Sequence, residues 1–177
     1  MNVYIIQVET GTEERFIALV RATPELSSSD IPEFNLLWPR RDLTIRKRGR
    51  RIRTNQPLFP GYLILESETI SEPLYRGLRR TPGFYRFLRG NHDIVALEGT
   101  QKEMIRRLLS FGEVVKQSKA YFDVNNRIHV TEGPLKGLEG CIVKVNRRKG
   151  RAKVRMDLYE DSFLVDLGFE VMEASAT

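Results

Sequence analysis

The sequence predicts an α+β protein built in two parts, an antiparallel sheet flanked by helices and then a small β-barrel. Two observations carry this prediction. Up to residue 111 the apolar residues follow strand and helix spacing in the order β-α-β-β-α-β-α, which favours a layered α/β sandwich. From Tyr121 onward only short strand patterns occur, and turn residues separate them, as is typical of a small barrel. We therefore expect a sandwich domain at residues 1–111, a linker at 112–120 and a barrel at 121–177.

The strands of the first part are predicted from β-branched and aromatic residues, and its helices from apolar positions at helical spacing. The predicted strands are residues 2–8, 34–38, 59–65 and 84–88. The predicted helices are residues 10–22, 71–80 and 100–111. The first and third helices begin with a capping-box pattern, Thr10 to Glu13 and Thr100 to Glu103, in which the threonine caps the first turn. Pro73 suits the first turn of the middle helix.

The barrel is predicted from short strand patterns that follow one another closely. These are residues 127–131, 140–145, 151–156 and 162–166, with a last piece near 170–172. Sequential strands with glycine-containing turns favour a small closed sheet.

The composition is that of an ordinary globular protein with a basic excess. The 177 residues include 29 Lys and Arg against 23 Asp and Glu, a net charge of +6, which favours a polyanionic partner. The apolar run at residues 3–6 is far shorter than the roughly 20 residues of a membrane span, and no basic segment precedes it as in a signal peptide. The single cysteine, Cys141, excludes an internal disulfide and an all-thiolate zinc site, so we expect a reducing, cytoplasmic setting.

The basic excess lies in one segment, residues 40–53, which holds eight basic residues and one acidic residue. Apolar residues alternate with polar ones on both sides of Gly49, which predicts a projecting β-hairpin. Arginine predominates, and its guanidinium group binds phosphates and base edges in a bidentate manner. The predicted nucleic-acid-binding residues of this hairpin are Arg40, Arg41, Arg46, Lys47, Arg48, Arg50, Arg51 and Arg53. The alternative is a solvated charge run without a ligand.

A second basic set brackets the predicted middle helix and the fourth predicted strand, and the alternative for part of it is a solvated surface without a ligand: Arg76, Arg79, Arg80, Arg86 and Arg89. Arg76, Arg79 and Arg80 have i, i+3, i+4 spacing and therefore share one helix face. We expect them to extend the nucleic-acid-binding surface.

Nothing in the sequence predicts catalysis, a metal site or a cofactor. The two histidines, His92 and His129, lie at ligand spacing neither from each other nor from Cys141. No phosphate-binding or dinucleotide-binding glycine motif is present. We therefore expect that this protein is not an enzyme.

Several segments, in chain order, resemble the NusG family of transcription elongation factors. Residues 130–143, with Gly133, Pro134, Gly137 and Gly140, resemble the KOW motif of the family's C-terminal domain. Three further segments are similar to other parts of the family pattern. Residues 4–13 are similar to its first strand and helix start, and residues 57–64 (PLFPGYLI) to its central FPGY motif. Residues 81–88 are similar to a later strand. Departures are Val3, where the family usually has Trp, and Arg89-Gly90 in place of paired glycines. The tail at residues 166–173 is similar to specialised paralogues such as the LoaP group.

The resemblance implies an NGN-like sandwich domain joined to an SH3-like KOW barrel. It also implies docking onto the clamp helices of RNA polymerase through a hydrophobic concavity. Matched by position, the polymerase-binding residues would be Gln7, Phe59, Pro60, Tyr62 and Ile64. The implied activity is modulation of pausing and of termination or antitermination, with DNA or nascent RNA as a further partner. The barrel would recruit a ribosomal protein or a termination factor.

One alternative from a different functional class remains open. KOW motifs also occur in ribosomal proteins, so the chain could be a ribosome-associated or RNA-binding protein. Co-purification with RNA polymerase or with ribosomal subunits would distinguish the two.

Overall fold

The computed structural model describes residues 1–173, in which three helices and twelve strands form. The helices are α1 (Glu13–Arg21), α2 (Glu72–Arg80) and α3 (Gly99–Leu109). The strands are β1 (Asn2–Val8), β2 (Phe34–Leu37), β3 (Arg40–Lys47), β4 (Arg50–Pro57), β5 (Tyr62–Ser67), β6 (Phe84–Phe87), β7 (Val114–Val115), β8 (Ser118–Phe122), β9 (Ile128–Glu132), β10 (Ile142–Asn146), β11 (Arg151–Leu158) and β12 (Asp161–Val171). The predicted α+β class is confirmed. No helix within residues 1–173 is long and apolar enough to cross a membrane.

The chain divides into two compact units. The first comprises residues 1–39 and 59–103, and the second comprises residues 40–58 and the chain from Met104 onward. The hairpin therefore groups with the C-terminal half of the chain, although it follows β2 in sequence. Residues 112–120, the expected linker, contain β7 and the first part of β8. The domain boundaries drawn from the sequence stay a prediction.

The first unit is built on a four-stranded antiparallel sheet with the order β2-β5-β1-β6. Alternate residues of β1 point to opposite faces of a sheet. Tyr4, Ile6 and Val8 belong to a core cluster that also contains side chains of α1 and α2. Burying a large apolar side chain of this kind stabilises a fold by about 1.5–3 kcal/mol. This cluster therefore holds α1 and α2 to one face of the sheet.

The predicted capping boxes are wrong. α1 begins at Glu13 after Thr12, so Thr10 is not its N-cap, and Glu13 is buried. Its carboxylate accepts a hydrogen bond from the backbone N–H of Gly61 at 2.8 Å, which occupies the group that the capping box would use. α3 begins at Gly99, so Thr100 lies inside the helix. The middle helix does have a side-chain cap, because Ser71 Oγ accepts a bond from the Leu74 N–H at 3.4 Å.

The second unit contains a curled five-stranded sheet with the order β10-β11-β12-β8-β9. All neighbours are antiparallel except β12 and β8, which are parallel. β12 is one strand of 11 residues where the sequence predicts two separate pieces. Along β11 buried residues alternate with more exposed ones, from Ala152 to Leu158, so one face of the sheet forms the core.

Candidate functional site

The basic hairpin is present as predicted, and its register is fully paired. β3 and β4 pair antiparallel from Arg40 opposite Pro57 to Lys47 opposite Arg50. The two-residue turn consists of Arg48 and Gly49, both with positive φ angles of 49° and 77°. Such turns match the right-handed twist of the two strands and fix the register. The arginines therefore have defined positions along the hairpin.

The end of the hairpin brings like charges directly opposite each other. Lys47 pairs with Arg50 and Arg46 pairs with Arg51, and these four side chains and Arg48 are exposed. None of the five forms an ion pair within residues 1–173. Like charges directly opposite in a sheet are destabilising. This end of the hairpin is thus a cationic surface that the described part of the chain does not neutralise.

The base of the hairpin differs, because its basic residues are paired or partly buried. Arg53 donates from Nε to Asp42 Oδ2 at 3.1 Å and from Nη2 to the same oxygen, and Glu170 lies 4.0 Å away. The hydrogen bond to Asp42, and then its charge, raise the pKa of Arg53. Arg53 therefore supports the base of the hairpin through Asp42, and a phosphate would compete with two carboxylates for its guanidinium.

Arg40 and Arg41 are half-buried. Burial lowers the pKa of Arg41, while the neighbouring Asp166 raises it and Arg151 lowers it further. The backbone N–H of Arg40 donates to the carbonyl of Glu113 at 2.7 Å, next to β7. Both residues thus lie in the supported part of the hairpin rather than at its exposed end.

The three arginines of α2 are exposed, as expected for a surface helix face. Arg76 Nη2 lies 3.2 Å from Glu72 Oε1, one helical turn earlier. A surface pair of this kind contributes only about 0.3–0.5 kcal/mol, so Arg76 can exchange this partner for another. Their role in nucleic-acid binding stays a prediction.

The predicted polymerase-binding residues fall into two groups. Gln7 is paired with Tyr62 across β1 and β5, both are half-buried, and Pro60 is exposed. In contrast, Phe59 is 4% exposed and Ile64 is 2% exposed. The latter two side chains have almost no surface for a partner in this structure. Their contact with a polymerase stays a prediction.

Two residues of β6 beside this face were not among the predicted polymerase-binding residues. Arg86 pairs with Gln7, and its Nε donates to Gln7 Oε1 at 2.9 Å. Tyr85 is 57% exposed. The sequence signal for these two residues was an aromatic residue next to a basic one in a short strand. This signal was not sufficient, because only the strand order of the folded sheet places β6 beside β1. We call Gln7, Pro60, Tyr62, Tyr85 and Arg86 the sheet surface.

The glycine-rich motif of the barrel forms a tight connection against β8. Gly133 has φ 98°, and a Cβ there would lie 2.7 Å from the Cα of Ser118. Ser118 Oγ accepts a bond from the Leu135 N–H at 2.9 Å, and Pro134 is buried. Gly137 also has a positive φ, whereas Gly140 has open space around it. Only glycine fits at position 133, because any side chain would collide with backbone.

Within residues 1–173 no group of three or more His, Cys, Asp or Glu side chains could hold a metal ion. The nearest approach is a pair, His129 Nε2 and Asp123 Oδ2 at 2.9 Å. Hydrogen bonds from His129 and from the backbone N–H groups of Arg127 and Asn125 lower the pKa of Asp123. A single exposed pair of this kind stabilises a local loop.

Comparisons with known proteins agree with this architecture. The family model described as "NusG: Transcription termination factor nusG" matches residues 1–108. The "Transcription termination/antitermination protein NusG" of Pasteurella multocida is 26% identical over 173 residues, 96% of this chain and 93% of that protein. The protein of the same name from Pseudomonas aeruginosa is 23% identical over 172 residues, 96% of each chain. A solved structure titled "Domain interaction in Thermotoga maritima NusG" shares the fold, with a TM-score of 0.56 and 20% identity over 94% of this chain and 93% of that one. Because the family model covers more than half of its residues, this chain belongs to the NusG family of transcription termination factors.

Proposed function

We propose that this protein binds transcribing RNA polymerase through its sheet surface and nucleic acid through the end of its hairpin. In doing so it modulates pausing and termination or antitermination in the cytoplasm, and it recruits partners through the KOW barrel. Membership of the NusG family supports this proposal, as do the relatives named for termination and antitermination. No step of this function requires a bond to be made or broken by the protein.

The observation that carries the proposal is the exposed, unneutralised end of the hairpin. Its five basic side chains form no ion pair within the described residues, and two cross-strand pairs place like charges together. A polyanion relieves this repulsion and releases condensed counterions when it binds. DNA near the transcribing enzyme and nascent RNA both supply such a polyanion.

The sheet surface has the chemistry of a protein-docking site. It offers Tyr62, Tyr85 and Arg86, and aromatic residues and arginine are the side chains most often responsible for interface affinity. Gln7 fixes the position of Arg86 through their hydrogen bond. The clamp helices of RNA polymerase are the proposed partner of this surface.

The barrel has exposed apolar side chains on two of its strands, and we assign them to contact with a recruited partner. Val143 in β10 and Leu164 in β12 are 55% and 61% exposed. A partner that covers such side chains gains free energy by removing their apolar surface from water. A ribosomal protein or a termination factor is the proposed partner here.

Transcription in vitro with purified RNA polymerase tests the proposal. The template carries a pause site and a terminator, and the readouts are pause lifetime and read-through. We expect the wild-type protein to change at least one of them, and R46T/R51T to reduce the change. The matched control K136A/K144A removes two charges from exposed barrel positions and should act like the wild type. No effect of the wild type, together with co-purification of ribosomal subunits, would instead support the ribosomal alternative.

A further inference from the structure

A groove of about 930 Å³ lies between the hairpin and the barrel within the second unit. One side is formed by Thr44–Arg46 and Arg51 of the hairpin. The other is formed by the turn between β10 and β11, residues 146–151, with Phe169–Val171 of β12 beside it. We call it the basic groove, and we call residues 146–150 the barrel turn.

The charge of the basic groove is strongly one-sided. Six of its lining residues are Arg or Lys, and one, Glu170, is acidic, which gives a net charge of +5. A concave surface of one sign concentrates counterions and attracts ligands of opposite charge. The sequence alone does not reveal this, because the barrel turn lies about 100 residues after the hairpin.

Hydrogen bonds hold the two sides together at Thr44. Gln117 Nε2 donates to Thr44 Oγ1 at 3.0 Å, and Arg151 Nη2 donates to the Thr44 carbonyl at 3.5 Å. The Nε atom of Arg151 is buried and has no partner within residues 1–173. A partly buried guanidinium at this place adds to the positive potential of the groove, because charges are screened less away from water.

The barrel turn is rigidly placed. Asn146 Oδ1 accepts a bond from the Lys149 N–H at 2.9 Å, and the Phe169 N–H donates to the Gly150 carbonyl at 2.9 Å. Gly150 has φ 63°, and a Cβ there would lie 2.7 Å from the Phe169 carbonyl oxygen, so only glycine fits. The turn therefore gives the backbone of Arg148 a defined position beside the groove.

Not every basic residue of the turn is available. The guanidinium of Arg147 lies over the ring of Phe122, 4.6 Å from its centroid, and donates to Asn126 Oδ1 at 3.3 Å. Arg148 and Lys149 are exposed and form no ion pair within the described chain. These two side chains, rather than Arg147, can bind a ligand in the groove.

We propose that the basic groove binds the sugar-phosphate backbone of a nucleic-acid strand. Arg46 and Arg51 contact phosphates from the hairpin, and the barrel turn contacts them through Arg148 and Lys149. The groove offers no aromatic face for base stacking, since its one aromatic residue, Phe169, is 3% exposed. Recognition is therefore through phosphates and independent of sequence. This inference rests on the proposed function, because it shares the hairpin with it.

The test measures affinity against salt concentration for the full chain, with labelled single-stranded RNA, single-stranded DNA and duplex DNA. Each phosphate contact contributes about 0.7–0.9 to the slope of log affinity against log salt. On the probe that the wild type binds best, we expect R148A/K149A to flatten the slope by about 1.5, as two lost contacts would. R46A/R51A should do the same, and the control K136A/K144A should change it by much less. Thermal unfolding checks that all three variants fold.

The outcomes separate this inference from the proposed function. If R46A/R51A flattens the slope but R148A/K149A behaves like the control, the barrel turn lies outside the site and the inference is wrong, while the proposed hairpin function stands. If no variant changes the slope, both are wrong. A loss that depends on the base sequence of the probe would contradict recognition through phosphates alone.

Discussion

The end of the hairpin and the N-terminal sheet show two different ways in which a strand can present residues to a partner. In β4, Arg50 and Arg51 at the end of the hairpin are exposed and form no ion pair within residues 1–173, so both side chains are accessible to a ligand. In β1 and β5, by contrast, consecutive residues are buried, residues 3–6 and 63–65, and Ile64 is buried although Tyr62, two residues earlier on the same face, is half-exposed. Residue type therefore predicts which side chains are accessible at the end of a hairpin, whereas in a packed sheet the packing decides which side chains are accessible.

The largest expected effect separates a core residue from a binding residue. Phe59 is 4% exposed, so Phe59→Ala should lower the free energy of unfolding by about 3–5 kcal/mol. The matched aromatic control is Tyr85→Ala, which removes a 57% exposed ring and should cost about 0.5 kcal/mol or less. Urea unfolding measures both. A small loss for Phe59→Ala would show that this ring is a surface residue after all.

The next effect concerns the base of the hairpin. Asp42 is 9% exposed and accepts hydrogen bonds from both Nε and Nη2 of Arg53. Asp42→Ala should lower the free energy of unfolding by about 1.5–3 kcal/mol, as expected for a bond to a charged group. Glu170→Gln, which removes only the more distant charge at 4.0 Å, should cost about 1 kcal/mol or less. Equal losses for the two variants would contradict the supporting role of Asp42.

Removing charges at the end of the hairpin should not destabilise the protein, in contrast to removing Asp42 at its base. R46T/R51T removes the like-charge pair that Arg46 and Arg51 form across the two strands, and the threonines that replace them favour strand structure. We expect the free energy of unfolding to stay the same or rise by up to about 1 kcal/mol, because repulsion is relieved. Chemical unfolding at low salt gives the clearest reading. A clear loss of stability would mean that these arginines support the fold.

The smallest effect is a dependence of stability on pH in the barrel. The pKa of Asp123 is lowered from its ordinary value of 3.8, first by the hydrogen bond from His129. Its ionised form therefore contributes stability above about pH 3.8, and this contribution is lost as the pH falls through the lower folded-state pKa. Asp123→Asn should be less stable than the wild type near pH 7, and the gap should narrow near pH 3. A gap that stays constant would contradict this linkage.

Much of the fold follows from the sequence, because periodicity and turn residues are local signals. The hairpin and the middle helix, α2, were predicted in this way and are present. The first helix was predicted but not its start, since Glu13 bonds to Gly61, a residue 48 positions away. Likewise, β7 is only two residues long and forms by pairing with β3.

The candidate binding residues were predictable only in part, because their exposure and pairing depend on contacts between residues that are far apart in sequence. The charge of residues 40–53 is a local property, but the pairing of Arg53 with Asp42 depends on strand register. The burial of Phe59 and Ile64 depends on packing around the sheet. The basic groove joins segments that are far apart in sequence, so no local pattern could reveal it.

The central claim is that the sheet surface docks on RNA polymerase and that the hairpin binds nucleic acid. The most direct test measures the affinity of the protein for RNA polymerase from which nucleic acid has been removed. The variants R46T/R51T and Q7A/Y62A are compared with the wild type. We expect Q7A/Y62A to weaken binding by about tenfold or more, because it removes an aromatic anchor and the acceptor that positions Arg86. R46T/R51T should bind like the wild type. Normal binding by Q7A/Y62A, or a large loss with R46T/R51T, would contradict this division of roles.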